Sequence, residues 1–308
     1  MIVTGALLAP TPTPAQTLYI ADYNFSSNIG TVNEYDGTTG LLVSGAFTTI
    51  TESKRVSLLT LVGNDLYIAN QDGTVGVYSA TTGTAINSSL INTGLVDPAG
   101  LVVSGNNLYI LGTTGKVGEF NASTGATINS DLITVGETAL GLAISGNTIY
   151  VSAQDGTNAV QEYDATSGAP INTNFINVAS SAGLPDPGSE NIEGNDLYLG
   201  ADGTILEFNA TTGAVVEAPL ITGVAPPPLL DLGLSGNDLY VMGGVDGQET
   251  VDEYDATTGA PIKTNFVSGL NSATGMAVAP APEPCSAALL SLGLSALFGA
   301  TRVRRHGT

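Results

Sequence analysis

The chain has one cysteine, one histidine and no tryptophan in 308 residues, and each scarcity removes a class of chemistry. Cys285 and His306 both lie in the terminal segment. The body before them therefore forms no intramolecular disulfide. It also holds no Cys/His zinc site, no cysteine nucleophile and no Ser-His-Asp triad. Basic residues are nearly as rare: Lys54, Arg55, Lys116, Lys263, Arg302, Arg304 and Arg305 stand against 28 acidic residues, for a net charge of −21. Such a surface repels phosphate backbones and anionic headgroups, so nucleic acid is not an expected partner, whereas a cation is an acceptable one. Charged residues make up only 11% of the chain, against about 25% in ordinary soluble proteins. Solubility rests on Ser, Thr, Asn and Gly.

What is abundant points to strands. The chain is 43% hydrophobic, enough for a sizeable core, and Thr, Val, Ile, Tyr and turn-forming Gly and Asn outweigh the helix formers. Three short phrases recur in fixed order. The first places a tyrosine after a turn, as in "GNDLYIAN" and "GNNLYILG", at Tyr19, Tyr67, Tyr109, Tyr150, Tyr198 and Tyr240. The second is a turn such as "YDATTG" or "FNASTG", starting at Tyr35, Tyr78, Phe120, Tyr163, Phe208 and Tyr254. The third sets apolar residues three, seven and eight positions after that glycine, as in Ile86, Leu90 and Ile91. A period of about 43 residues with four strand-like segments per unit is the mark of a β-propeller blade.

Six units predict an all-β, six-bladed propeller spanning 17–280. The inner strand A ("GLVVSG" at Gly100) leads into strand B (the "LYI" phrase), strand C (ending at "EYD") and outer strand D. "SGND" supplies Gly and Asn for positive φ in a tight A–B hairpin. In "YDATTG" the Asp or Asn accepts from amides further on, and the Gly is left-handed. This turn reading outweighs the glycosylation reading of Asn121 and Asn209, and no copy has the calcium-loop spacing of an EF-hand. The first unit begins at strand B, and an extra strand A, "TGMAVA" at Thr274 to Ala279, remains to complete the first blade and close the ring. The third and fourth turns resemble phrases in quinoprotein-like propeller repeats. Those carry a Trp after the "TG" turn, which is missing here, so the resemblance implies the architecture without its cofactor.

The ends differ from this body. Residues 1–16, "MIVTGALLAPTPTPAQ", read as a signal-peptide remnant or a disordered N-terminus. Residues 281–308 contain Pro282-Glu283-Pro284, an apolar run to Ala300, and Arg302, Arg304 and Arg305. As a helix, Cys285 to Val303 measures roughly 28 Å, long enough to span a bilayer with its arginines on the cytoplasmic side. This three-part ending resembles the PEP-CTERM sorting signal of exopolysaccharide-producing Gram-negative bacteria, with Cys285 where that family more often has Ser or Thr. The resemblance implies an exosortase, a membrane-embedded cysteine transpeptidase, as partner. It also implies transient anchoring in the inner membrane and export to the cell surface, outer envelope or extracellular matrix.

In a propeller the D-to-A and B-to-C connections share the face at the channel mouth. The first set maps to Asp97, Glu137, Asp186, Glu190 and Asp231, and the second to Asp22, Asp72, Asp155, Asp202 and Asp246. A ring of carboxylates there would suit Ca²⁺, although Asp-Gly pairs such as Asp72-Gly73 are also ordinary turns. No other cofactor and no catalytic residue is expected. Two function classes stay open. One is a non-enzymatic binding or structural protein that meets polysaccharide or an envelope protein. The other is a lactonase-like, metal-dependent propeller hydrolase with its site at the channel mouth.

Overall fold

The structure, a computed structural model, describes residues 16–279 apart from 28, 51–54, 93, 96, 136–137, 155–158, 178–186, 202, 225–228 and 245–247. The predicted membrane-spanning helix and the whole sorting motif lie outside the described residues, as does the N-terminal segment before Gln16. Among the described residues no helix is long and apolar enough to cross a membrane.

Twenty-four strands form six antiparallel four-stranded sheets. Blade I holds β1 (Thr17–Asn24), β2 (Ile29–Asp36) and β3 (Leu42–Ile50). Blade II is β4 (Val56–Val62), β5 (Asp65–Asn70), β6 (Thr74–Ser79) and β7 (Ala85–Asn92). Blade III is β8 (Pro98–Ser104), β9 (Asn107–Gly112), β10 (Lys116–Asn121) and β11 (Thr127–Thr134). Blade IV is β12 (Thr138–Ser145), β13 (Thr148–Gln154), β14 (Ala159–Asp164) and β15 (Pro170–Asn177). Blade V is β16 (Pro187–Glu193), β17 (Asp196–Ala201), β18 (Thr204–Asn209) and β19 (Val215–Thr222). Blade VI is β20 (Leu229–Ser235), β21 (Asp238–Gly243), β22 (Thr250–Asp255) and β23 (Pro261–Val267).

The last strand, β24 (Ala273–Ala279), pairs antiparallel with β1 and becomes the inner strand of blade I. Its register runs from Thr17↔Ala279 to Asp22↔Ala273, so the ring closes as the order of phrases predicts. Each inner strand packs against the next, from β4 through β8, β12, β16 and β20 to β24 and back to β4.

The core lies between blades rather than within one. Six clusters of buried apolar side chains fill the six seams, for example Tyr19, Val32, Leu59, Leu66 and Ile68 between blades I and II. Each recurring phrase has a joint to make. In every blade the phrase-one tyrosine donates its hydroxyl to a backbone carbonyl in the second-phrase turn of the next blade. The pairs are Tyr19 to Ala80 at 2.6 Å, Tyr67 to Ala122 at 3.3 Å, Tyr109 to Ala165 at 3.4 Å, Tyr150 to Ala210 at 2.7 Å, Tyr198 to Ala256 at 3.4 Å and Tyr240 to Gly37 at 3.0 Å. These hydroxyls are buried, Tyr109 having Asn107 Nδ2 and Glu119 as further partners, and each bond contributes about 1 kcal/mol net.

The turn glycines serve the same seams. A methyl group on Gly125 would stand 1.9 Å from the Leu90 carbonyl oxygen of the preceding blade, and φ there is +71°. Only glycine allows that backbone approach. The Asx side chain in front of it holds the turn: Asp164 accepts from the amides of Thr166 and Ser167 and from the Ser167 hydroxyl. These bonds, led by the Ser167 hydroxyl, hold the Asp164 carboxyl below the ordinary carboxylate range. Asn121 and Asn209 are engaged in the same way.

One local expectation needs correction. In the A–B hairpins only the glycine is left-handed, at φ +59° to +62° in Gly63, Gly105, Gly146, Gly194 and Gly236, while the asparagine that follows is not. The hairpin needs one left-handed residue instead of two. The asparagine instead ties the two turns of its blade together. Asn106 accepts through its carbonyl from Ala122 N at 2.9 Å and through Oδ1 from Ser123 Oγ at 3.0 Å.

The outer strands bury Leu90 and Ile91 but expose Ile86, and Ile128, Ile171 and Ile262 repeat that exposure. All six edge strands are broken by two register shifts against their partners. Such bulges blunt an edge against pairing with another chain.

Candidate functional site

A channel of about 510 Å³ runs through the ring, lined by the six inner strands. These strands carry a bulge at the same place against strand B. Just beyond it comes a residue opposite the third position of the "LYI" phrase. Leu59, Leu101, Leu142, Leu232 and Met276 occupy this slot in five blades, and all are buried. In blade V the slot holds Glu190, opposite Leu199 and 9% exposed.

Neither carboxylate oxygen of Glu190 has a hydrogen-bond partner, nor does Ser189 Oγ beside it. Burial pushes the Glu190 carboxyl up to about 8. The amides of Ser152 and Ala143 in blade IV oppose this slightly without reaching hydrogen-bonding geometry. Glu190 is thus a neutral carboxylic acid at neutral pH, set into a seam that elsewhere is aliphatic.

Asp231 sits one position earlier in blade VI, opposite Met242, where other blades have Leu58, Gly100, Gly141 or Gly275. Its oxygens accept from Leu232 N at 2.8 Å and from Met276 N, across the closing seam, at 2.7 Å. Burial raises its carboxyl to about 7 despite these bonds. Asn191 adds a further clasp, donating from Nδ2 to the Leu232 carbonyl at 2.9 Å. Thr274 donates to the Val56 carbonyl at 2.8 Å and Ser57 to that of Pro98 at 3.1 Å. Inner strands of neighbouring blades have no shared ladder, so side chains bridge them.

The five carboxylates expected on the D-to-A side are placed unequally. Asp97 is exposed in its connection at φ +52°. Glu190 and Asp231 lie on strands β16 and β20 rather than in connections, and Glu137 and Asp186 fall outside the described residues. On the B-to-C side, Asp72 caps its own turn, accepting from Thr74 N at 3.0 Å and Thr74 Oγ1 at 2.6 Å. Asp155, Asp202 and Asp246 are outside the described residues. Asp22 is buried at the closing seam and accepts from Ser272 N at 2.8 Å, Asn271 N at 3.2 Å and Asn271 Nδ2 at 3.1 Å. Among the described residues no group of three or more His, Cys, Asp or Glu side chains is placed to hold a metal ion.

Sequence reasoning assigned Glu190 and Asp231 to D-to-A connections, whereas they lie on inner strands, and it missed what sets them apart. The signal was available as a departure from the inner-strand repeat. "SENIEG" breaks the pattern of "GLVVSG" and "GLAISG", where the slot is Leu.

Solved structures share the overall fold. The chain is similar to a structure titled "Crystal structure of Nidogen/Laminin Complex", with a TM-score of 0.65 and 12% identity over 86% of this chain and 99% of that one. The computationally designed Ika8 protein matches with a TM-score of 0.49 and 18% identity over 86% of this chain and 91% of its own. No curated protein sequence matches. The family described as outer membrane protein assembly factor BamB matches residues 71–277, most of the ring. With its six repeat units, its closed ring and that match, the chain belongs to this BamB family of quinoprotein-like propellers.

Proposed function

We propose that the chain is an exported binding or structural protein of the cell surface, outer envelope or extracellular matrix of an exopolysaccharide-producing bacterium. It acts through the faces of its propeller and catalyses no reaction. Family membership carries this reading, because the family takes its description from an assembly factor of the outer membrane. The repeat supports it too: the recurring tyrosines, Asx residues and glycines are occupied in joints between and within blades. Delivery runs through Pro282-Glu283-Pro284, the apolar run and Arg302, Arg304 and Arg305, recognised by an exosortase-type transpeptidase. Intact-mass analysis and fractionation of the native cell test it. The expected result is protein in the envelope or matrix fraction, shortened near Pro284. Full-length protein soluble in the cytoplasm would overturn it.

The second reading, a metal-dependent hydrolase, is favoured by one observation: a buried and a half-buried carboxyl with raised proton affinity, Glu190 and Asp231, occur on adjacent inner strands. A general acid needs such a group. Titration of the full chain with Ca²⁺, followed by lactone hydrolysis assays, tests it; stoichiometric binding with turnover lost in E190Q would favour the enzyme.

A further inference from the structure

A second cavity, about 410 Å³, lies on the flank of blade I and reaches Asn271 of the closing segment. It falls within the roughly 300–1,000 Å³ of small-ligand sites. Its described side chains are mostly hydrogen-bonding and uncharged: Asn24, Ser27, Thr31, Asn33, Thr49 and Asn271, with the single carboxylate of Asp22.

These groups are fixed before any ligand arrives. Asn24 Oδ1 accepts from Ser26 N and Ser27 N, both at 3.0 Å. That settles its amide orientation and leaves Nδ2 as a donor. Asn33 Oδ1 accepts from Ala46 N at 2.8 Å, leaving its own amino group as a donor. Asp22 uses three of its about four acceptor sites on Asn271 and Ser272 and keeps one more. The pocket therefore offers two oriented N–H donors, one oriented carboxylate acceptor and two threonine hydroxyls.

That chemistry selects the ligand class. Among the described residues no cation lines the cavity, and the Asp22 carboxylate disfavours phosphates, sulfates and uronates. Ile29 and Ala46 are its only described apolar side chains, too few for a lipid chain. A neutral polyhydroxylated ligand satisfies donors and acceptors together.

The pocket also breaks the repeat. Where blade I has Asp22, the other blades have Asn70, Gly112, Ala153, Ala201 and Gly243. Where it has Asn33, they have Gly76, Gly118, Gln161, Leu206 and Asp252. Neither residue is needed to make a blade.

We infer that this flank of blade I binds a neutral saccharide chain, with Asn24 and Asn33 donating to its oxygens and Asp22 accepting from a hydroxyl. The inference deepens the binding-protein reading above and rests on it for the source of the saccharide. The test uses the full chain with cellobiose, maltose, lactose and mannobiose as probes, read by saturation-transfer NMR and calorimetry. At least one probe is expected to bind. Asn24→Asp and Asn33→Asp keep the acceptors of the Ser26, Ser27 and Ala46 amides but remove the ligand-facing donor, and each should weaken that probe at least tenfold. Asn121→Asp in blade III, which recreates the Asp of other turns, should leave binding unchanged. Absence of saturation transfer from every probe, or binding untouched by both variants, overturns the inference. Tighter binding of glucuronate than of the neutral sugars does so as well. Cell fractionation is independent of these outcomes, so a protein found in the envelope that binds no sugar sinks this site alone, and a sugar-binding protein confined to the cytoplasm sinks only the export reading.

Discussion

Replacing Glu190 by glutamine isolates the effect of a proton in the blade IV–V seam. In the unfolded chain this carboxyl titrates near 4.5, and in the fold near 8. Between these values the folded protein holds a proton that the unfolded chain has released, so stability falls as pH rises and levels off above 8. At about 1.4 kcal/mol per pH unit, the loss across that window is about 5 kcal/mol. Nothing opposite offsets it: β12 has no titratable side chain, and the Tyr150 hydroxyl of β13 is bound to Ala210. Glu190→Gln has the same shape and no charge. Urea unfolding of both proteins at pH 5, 7 and 9 should show near-equal stability at pH 5. The variant should lead by about 3 kcal/mol at pH 7 and by more at pH 9. Glu190→Leu, which restores the residue type of four other blades, should show the same divergence. Parallel stability curves for wild type and Gln variant from pH 5 to 9 would refute the reasoning. They would mean that the carboxyl finds a donor or water in solution.

Other substitutions probe the joints. Tyr150→Phe removes the 2.7 Å bond to Ala210 and should cost about 1–2 kcal/mol, with faster hydrogen exchange of amides on both sides of that seam. Gly125→Ala meets both a left-handed φ and the Leu90 carbonyl, so chemical denaturation should show a loss of about 3–4 kcal/mol. Gly63→Ala, with a similar φ and open space around it, should lose only about 1–2 kcal/mol. Ending the chain after Asn271 removes β24 and exposes the edge of β1; size-exclusion chromatography should show the shortened protein associating or aggregating.

Much of the ring was legible because its phrases are local. A turn is written in adjacent residues, as in Asp164 to Gly168, and a strand in its alternation, so the period and the closing strand could be counted from one end to the other. What the phrases do for each other was not legible. That the Tyr150 hydroxyl meets the Ala210 carbonyl, 60 residues away, depends on how blades lean together, and no spacing within one unit reports it. The carboxylates show the same limit. Mapping them to connections treated Glu190 and Asp97 alike, yet one is sealed against Ala143 and Ser152 and the other is exposed. Aligning the inner strands by register, instead of by loop, separates them.

A repeat protein of this kind divides its residues into those that recur because every seam needs them and those that occur once. Tyr240 recurs to bolt blade VI to Gly37, so its polarity says nothing about a ligand. Glu190, Asp231 and Asp22 occur once, in slots that other blades fill with aliphatic, small or amide side chains. Their roles differ even so. Asp231 has its acceptors taken across the closing seam, and Glu190 is closed off from the channel space at its carboxylate oxygens. Among the described residues, a cavity, unspent donors and a spare acceptor are found together around Asp22. The six-fold scaffold thus directs the search for function to this asymmetric flank, beside the seam where the last strand meets the first.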